Sequence, residues 1–405
     1  MTLRSWDIFC TVIDNYGDIG VCWRLARQLA QEHGHAVRLW VDDLASFARM
    51  APSLSPSRPV QRLAGVEVRH WRGDADTVGV APHDVVVEAF ACNVPEPFVL
   101  AMTQAPRTPV WINLEYLSAE PWVREHHGMA SPHPRLPLTK YFFFPGFEFG
   151  TGGVLREAML GGRRRDFAAA TAGQARLWHR LGVQPWPDSL RVSLFAYGNR
   201  SLPPLLTQWR NGDERIHCLV PSGPAAEQAF EWVQRQPDVQ AGTGTDGGRQ
   251  VTTGKLRLAQ VPFLPQDGYD ELLWLCDVNF VRGEDSFVRA QWAARPFVWH
   301  IYPQDEDTHR AKLDAFLALY LQTLRDAGVA QALQTFWRAW NGFSPGASAA
   351  EGDSRNDSTA AAAAWPAFRA ALPALTRAAA RWEQGVAGLG DLAANLVAFC
   401  ETRVK

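Results

Sequence analysis

Lysine is nearly missing from this chain: Lys140, Lys255, Lys312 and Lys405 are its only lysines among 40 basic residues. That scarcity reads as the codon bias of a GC-rich genome, not as chemistry. A dominant charge is missing too. The net charge is −2 over 405 residues, which excludes a generally nucleic-acid-binding or polybasic membrane-surface protein. Cys10, Cys22, Cys92, Cys218, Cys276 and Cys400 are scattered without a CxxC pair, mostly inside apolar stretches. They suit buried free thiols in a reducing compartment. No apolar run approaches the ~18 residues of a membrane span, and MTLRSWDIFC lacks the pattern of a signal peptide. A soluble, cytoplasmic protein is expected. There is no repeat of solenoid length and no GxSxG elbow. His126, His127 and His133 follow neither HExxH nor Cys/His spacing. Gly247-Gly248 and Gly254-Lys255 are wrongly spaced for a phosphate loop and lack its Ser/Thr.

What is present is alternation. Trp6–Ile13, Val37–Val41, Val66–Trp71, Asp84–Glu88, Val110–Leu114 and Tyr141–Phe144 read as strands. A helix over Gly20–Gln31 puts Val21, Leu25 and Leu29 on one face, and Arg163–Leu181 reads as one further helix. The prolines of Gly182–Asp188 suggest a hinge. Strands then resume at Leu190–Ala196, Ile216–Val220, Leu256–Pro262, Val278–Val281 and Phe297–His300, and helices follow at Asp307–Arg325, Val329–Trp340 and Leu372–Thr402. Such alternation predicts α/β architecture with mostly parallel sheets. The expected division is two doubly wound domains, 1–182 and 189–371, facing across a cleft. Ligands in such sheets bind beyond the carboxyl ends of the strands, here the turns after Ile13, Ala196 and Val281. Residues 344–364 read as a polar, then alanine-rich loop passing into a helix.

The first turn, Asp14-Asn15-Tyr16-Gly17-Asp18-Ile19-Gly20, stands where a dinucleotide-binding loop would, but the full GxGxxG is missing. Asp14 and Asp18 would repel a pyrophosphate at that helix N-terminus, whereas the helix dipole favours the carboxylates themselves. The pair suits proton abstraction or a bidentate grip on a guanidinium. Capping of the turn by Asp14 and of the helix by Asp18 fits the spacing equally well. Asp42 and Asp43 read as ordinary helix caps.

The late turn, Arg282-Gly-Glu-Asp-Ser286, lies between a strand and a helix. Arg282, the Ser286 hydroxyl and N–H, and a helix N-terminus make an anion site for a phosphate. Glu284 and Asp285 suit sugar hydroxyls better than phosphate, and Asp285 or Ser286 as a plain cap is an equal alternative. Phe263 and Gln266 offer a stacking face and an amide for a base. Phe195 and Tyr197 alternate on a strand and so point the same way. Asp305 and Asp307 imitate an acid-x-acid metal motif but read better as the start of a helix. Asn113-Leu-Glu115-Tyr116 follows a strand end and borders the expected cleft, or is ordinary loop.

WDIFCTVIDNYGDIGVCWRLARQLA, WINLEYLSAE, PFLPQDGYDELLWLCDVNFVRGEDSFVRAQWA and PFVWHIYPQDEDTHRAKLDAFL together resemble the EarP family, the protein-arginine rhamnosyltransferases that modify bacterial elongation factor P. The resemblance runs in blocks from Trp6 to about Phe316. It implies a GT-B glycosyltransferase with two Rossmann-like domains. The first, completed by a C-terminal helix within 372–405, would hold elongation factor P, and the second the nucleotide sugar. L-rhamnose would pass from dTDP-β-L-rhamnose to an arginine side chain with inversion and no metal or other cofactor, activating the factor for ribosomes stalled on polyproline. By this resemblance Asp18 is the base, with Asp14 and Glu284 as further catalytic residues. Arg282, Asp285 and Ser286 surround the diphosphate and sugar, with Gly17 at the nucleotide sugar, and Phe195, Tyr197, Phe263 and Gln266 bind the nucleoside. No membrane and no direct nucleic-acid contact is expected. The competing classes are another dTDP-deoxysugar transferase, an NAD-dependent oxidoreductase, a metal-dependent transferase using Asp305 and Asp307, and a non-catalytic binder of the elongation factor.

Overall fold

Short apolar runs separated by amphipathic helices form two sheets in the computed structural model, which describes residues 4–14, 16–243, 249–303, 308–343 and 357–403. The chain divides into one unit of Met1–Met159 with Gly385–Lys405 and another of Leu160–Gln384.

Among the described residues, the first unit holds eight strands: β1 (Ser5–Cys10), β2 (Ala36–Val41), β3 (Val60–Leu63), β4 (Val66–His70), β5 (Val85–Ala89), β6 (Val110–Leu114), β7 (Ala130–Pro132) and β8 (Thr139–Phe143). Their order is β3-β4-β2-β1-β5-β6-β8-β7, parallel except for the edge strands β3 and β7. The central β5 and β6 are buried at every position. Apart from Glu88 in β5 and Asn113 in β6 they are apolar, so they read as near-continuous apolar runs rather than as alternating ones. β1 lies between β2 on one side and β5 on the other. The strand order therefore reverses at β1, and the crevice beyond its carboxyl end opens where the acidic turn begins.

The second unit holds seven strands among the described residues: β9 (Ser189–Leu194), β10 (Arg215–Pro221), β11 (Gln240–Thr243), β12 (Arg249–Thr253), β13 (Leu256–Val261), β14 (Val278–Arg282) and β15 (Phe297–His300). They run β11-β12-β13-β10-β9-β14-β15. Here β9 lies between β10 and β14, parallel to both, so the order reverses next to the turn that follows Arg282.

The domain boundary differs from the one expected at 182. Residues 160–181 form two helices, Leu160–Ala169 and Thr171–Leu181, with extended backbone at Ala170 between them. Both belong to the second unit. Phe167 packs on Trp274 with ring centroids 5.7 Å apart, and Arg180 pairs with Glu271. Gly182, at φ +69°, is the left-handed residue that closes the second helix, a C-cap and not an interdomain hinge. The other crossing is finer than expected as well. The helix Ala360–Ala387 stays with the second unit until Gln384, where the Trp382 indole donates to Gln291 Oε1 at 2.8 Å. Only from Gly385 onward does the chain complete the first unit, where Gln28 donates to Asp391 Oδ1 at 2.9 Å.

Candidate active site

β1 ends at Cys10, earlier than the sequence suggests, and the next helix begins at Gly17. Asp18 is the second residue of that helix and is 2% exposed. Its Oδ2 accepts the backbone N–H groups of Ile13 and Asp14, each at 2.8 Å. Its Oδ1 accepts the Tyr116 hydroxyl at 3.0 Å. Three donors thus fix one carboxylate in position. The cap position belongs to Tyr16, whose side chain makes no capping bond, so neither aspartate is the N-cap of this helix. Gly17 N–H closes the turn on the Asp14 carbonyl at 2.7 Å. A Cβ at Gly17 would stand 2.9 Å from Asp14 Oδ2, so the missing side chain is the space the Asp14 carboxylate uses.

Neighbouring loops support this turn. Asp43 caps the helix Leu44–Met50 as expected, accepting from Ala45 and Ser46 N–H. Asp42 does not cap; its Oδ1 accepts the Val12 N–H at 2.9 Å and so ties down the acidic loop. Burial raises the Asp42 pKa above the ordinary carboxylate value. The Tyr116 ring stacks on Phe90 at 4.3 Å and 14°. Phe90, Ala91 and Asn93 hold φ of +56°, +53° and +57°, a left-handed run of non-glycine residues just beyond β5. Such backbone is strained and persists where packing over-determines it.

In the second unit, Gly283 turns the chain at φ +59°, its carbonyl accepting the Trp299 indole N–H at 2.8 Å. The helix Asp285–Trp292 follows, with the half-buried Glu284 at its cap position making no side-chain capping bond. Ser286 departs from expectation. Its hydroxyl donates to the Arg282 carbonyl and accepts the Arg282 N–H at 3.0 Å. A hydroxyl has one proton, and here it is used to lock the turn, leaving the helix N–H groups as the donors for an anion. The Arg282 guanidinium lies 4.6 Å from the Phe195 ring and 4.7 Å from the Tyr197 ring. Phe195 and Tyr197 lie just beyond the end of β9 at Leu194 and not on the strand as expected, and the loop brings both rings against this cation. His300, opposite Arg282 in the β14–β15 register, meets the Tyr197 ring at 5.2 Å. Burial, with Arg282 adding to it, lowers the His300 pKa to about 3.

Gln266 opens the helix Gln266–Leu275, and Phe263 is half-buried just after β13. Gln266 Nε2 donates to Asp285 Oδ2 at 3.0 Å. The same oxygen accepts Arg289 Nε at 3.1 Å, and Arg289 Nη1 reaches Asp270 Oδ1 at 2.8 Å. Asp285 is therefore engaged with the amide and the guanidinium. Asp270, Arg289 and His300 are not among the expected site residues, and Tyr116 ends the segment expected either to border the cleft or to be ordinary loop, with no role of its own. Tyr116 joins Asp18 across 98 positions, a distance no local pattern spans, although Arg289 stands at i+4 from Asp285 on a visible helix. The acidic turn belongs to the first unit and the anion turn to the second. Asp305 and Asp307 lie outside the described residues.

Comparison with known proteins addresses the whole chain. Residues 6–401 match the family described as elongation factor P rhamnosyltransferase EarP. The protein-arginine rhamnosyltransferase of Pseudomonas aeruginosa is 48% identical over 98% of this chain and 99% of its own. A solved structure concerned with EarP-mediated arginine glycosylation of translation elongation factor EF-P is 35% identical, covers 99% of both chains and superposes with a TM-score of 0.65. Arabidopsis thaliana UGT89C1, solved with UDP-L-rhamnose, is 11% identical over 99% of this chain and all of its own at a TM-score of 0.52, a likeness of fold alone. The two α/β units are those of a GT-B glycosyltransferase.

Proposed function

Since the chain belongs to the EarP family and is a protein-arginine rhamnosyltransferase, we propose that it moves L-rhamnose from dTDP-β-L-rhamnose to one arginine of elongation factor P by inverting displacement. In this reading a guanidinium nitrogen forms the bond to the anomeric carbon as the bond from that carbon to the diphosphate oxygen breaks. The nitrogen gives its proton to Asp18, and dTDP leaves with the electron pair. A guanidinium has a pKa of about 12.5 or above and is a poor nucleophile until a positioned carboxylate takes its proton. Asp14 supplies a second acceptor for the fork of N–H donors. Arg282 and the N–H groups opening the helix Asp285–Trp292 offset the charge that grows on the diphosphate. Phe195, Tyr197, Phe263 and Gln266 receive the nucleoside, Gly17 lies at the nucleotide sugar, and Glu284 contacts the sugar or the acceptor arginine.

The observation that carries this reading is the Asp18 carboxylate, fixed by three donors at a helix N-terminus. Two of those donors are backbone N–H groups of the loop itself, so the carboxylate is held rigidly in the acidic turn without being the cap of its helix. No metal is required, and transfer persists in EDTA. The cytoplasm, where elongation factor P works and where free cysteines stay reduced, is the compartment. No helix among the described residues is long and apolar enough to cross a membrane. Asp18→Asn keeps the shape and removes the base. We expect dTDP affinity within about twofold of wild type by calorimetry, and transfer slowed by a factor of about 100 or more. Near-normal turnover in this variant removes Asp18 as the base.

A further inference from the structure

We propose that the second unit carries a separate anion site, formed by Arg325, Arg377 and Arg381, that takes a small molecule bearing two or more adjacent phosphate groups. None of its residues belongs to either turn described above, and it does not depend on the donor assignment. The helix Thr308–Leu321 ends shortly before Arg325, and the helix Ala327–Trp340 begins just after it. The helix Ala360–Ala387 brings Arg377 and Arg381 to the same place. Between these elements lies a cavity of about 350 Å³. Its apolar lining is Leu324, Val329 and Ala374, and its charged lining is the three arginines and Asp326. Arg377 and Arg381 stand four residues apart, so one helix face presents both.

What marks the cavity is uncompensated charge. Like charges four residues apart oppose helix formation, and a third guanidinium lines the same space. Among the described residues, neither Arg325 nor Arg377 makes an ion pair or a hydrogen bond. Arg381 Nη2 donates to the Thr323 carbonyl at 2.7 Å and pairs with no carboxylate among them. Other arginines of these helices are neutralised: Arg369 grips Glu214 through two nitrogens, and Arg338 pairs with Asp314 at 2.9 Å. Asp326, the acid of the cavity, is already engaged, since its Oδ1 accepts the Gly328 and Val329 N–H groups as the cap of its helix. An arginine fork binds oxyanions bidentately, and adjacent phosphates carry enough oxygens to bridge forks that a lone phosphate reaches only in part. The volume is that of a small-molecule pocket. A polynucleotide needs a long basic groove instead, and the chain as a whole has a net charge of −2.

The probe is inorganic pyrophosphate, titrated by calorimetry into the full chain with dTDP saturating, so that the turn after Arg282 is already filled. Wild type should bind a single pyrophosphate per chain. Inorganic phosphate should bind about tenfold more weakly or worse, because it engages fewer of the forks. Arg377→Ala and Arg381→Ala should each weaken pyrophosphate by about tenfold, as expected for the loss of one charge-assisted contact. Arg377→Lys keeps the charge without the fork and should lose less. Asp326→Asn remains a good cap but removes the opposing charge, and should tighten binding. All three arginines are exposed, so these variants should melt with wild type and keep its transfer rate. Pyrophosphate that fails to bind wild type, or binds both alanine variants as tightly as wild type, overturns the inference. Equal affinity for phosphate and pyrophosphate overturns the two-phosphate class. A single-stranded RNA that binds wild type more tightly than pyrophosphate, and loses affinity in the same variants, makes the site a polynucleotide contact and overturns the proposal as well.

Discussion

Gly17 lacks a side chain because its neighbour needs the room. Its φ is not in the left-handed region, so alanine there would suit the helix; the obstacle is Asp14 Oδ2, 2.9 Å from where a Cβ would stand. That atom is the far end of a movable side chain. Gly17→Ala should therefore melt within about 2 °C of wild type while transfer falls about tenfold or more, because Asp14 is displaced from the site. Wild-type turnover in Gly17→Ala would show that the position of Asp14 does not matter. The pair itself was legible, since Asp14 and Asp18 stand in the turn between a readable strand and a readable helix and their charge counts against a phosphate there. Their support was not. Tyr116 and Asp42 reach this turn from beyond other strands, and only the sheet order β2-β1-β5-β6 makes them neighbours.

At the scale of elements, the turn from β14 into the helix Asp285–Trp292 depends on one hydroxyl. Ser286 both donates to and accepts from the Arg282 backbone. Ser286→Ala leaves that buried N–H and carbonyl without this partner, a loss of about 1–3 kcal/mol. We expect a lower melting temperature and weaker dTDP binding together, the second following from the looser turn. An unchanged melt with weakened binding would instead mean that the hydroxyl faces the ligand, as the sequence alone suggested. The strands were readable because β5, β6 and β14 are buried along their whole length and stay mostly apolar around Glu88, Asn113, Asn279 and Arg282. The joint between units was not. Pro185 and Pro187 are strong breakers, yet they lie inside the second unit, while the true crossings at Met159–Leu160 and Gln384–Gly385 carry no breaker that outweighs them. At the second of them a single helix simply continues.

At the scale of the whole molecule, acid should unfold the protein partly through a histidine remote in sequence from both turns. His217 in β10 is fully buried, stacked on Trp178 at 5.5 Å and 9°, with no hydrogen-bond partner at either ring nitrogen among the described residues. Burial, together with Arg257 and Arg191, lowers its pKa to about 3. The unfolded chain binds the same proton near pH 6.5. Stability from this group is thus complete above about pH 6.5 and is lost as the pH falls toward 3. Between pH 7 and pH 5 the loss is about 2 kcal/mol. His217→Phe removes this titration, so its stability relative to wild type should improve by about that amount between pH 7 and pH 5 in urea melts. A difference that stays constant across this range would contradict the assignment.

The most direct test of the central claim is the intact mass of purified elongation factor P after incubation with this protein and dTDP-β-L-rhamnose in EDTA. The account predicts a gain of one deoxyhexose, mapped by fragmentation to an arginine, and no gain with Asp18→Asn. An unmodified elongation factor under conditions where the protein binds dTDP would contradict it, as would a sugar found on any residue other than arginine.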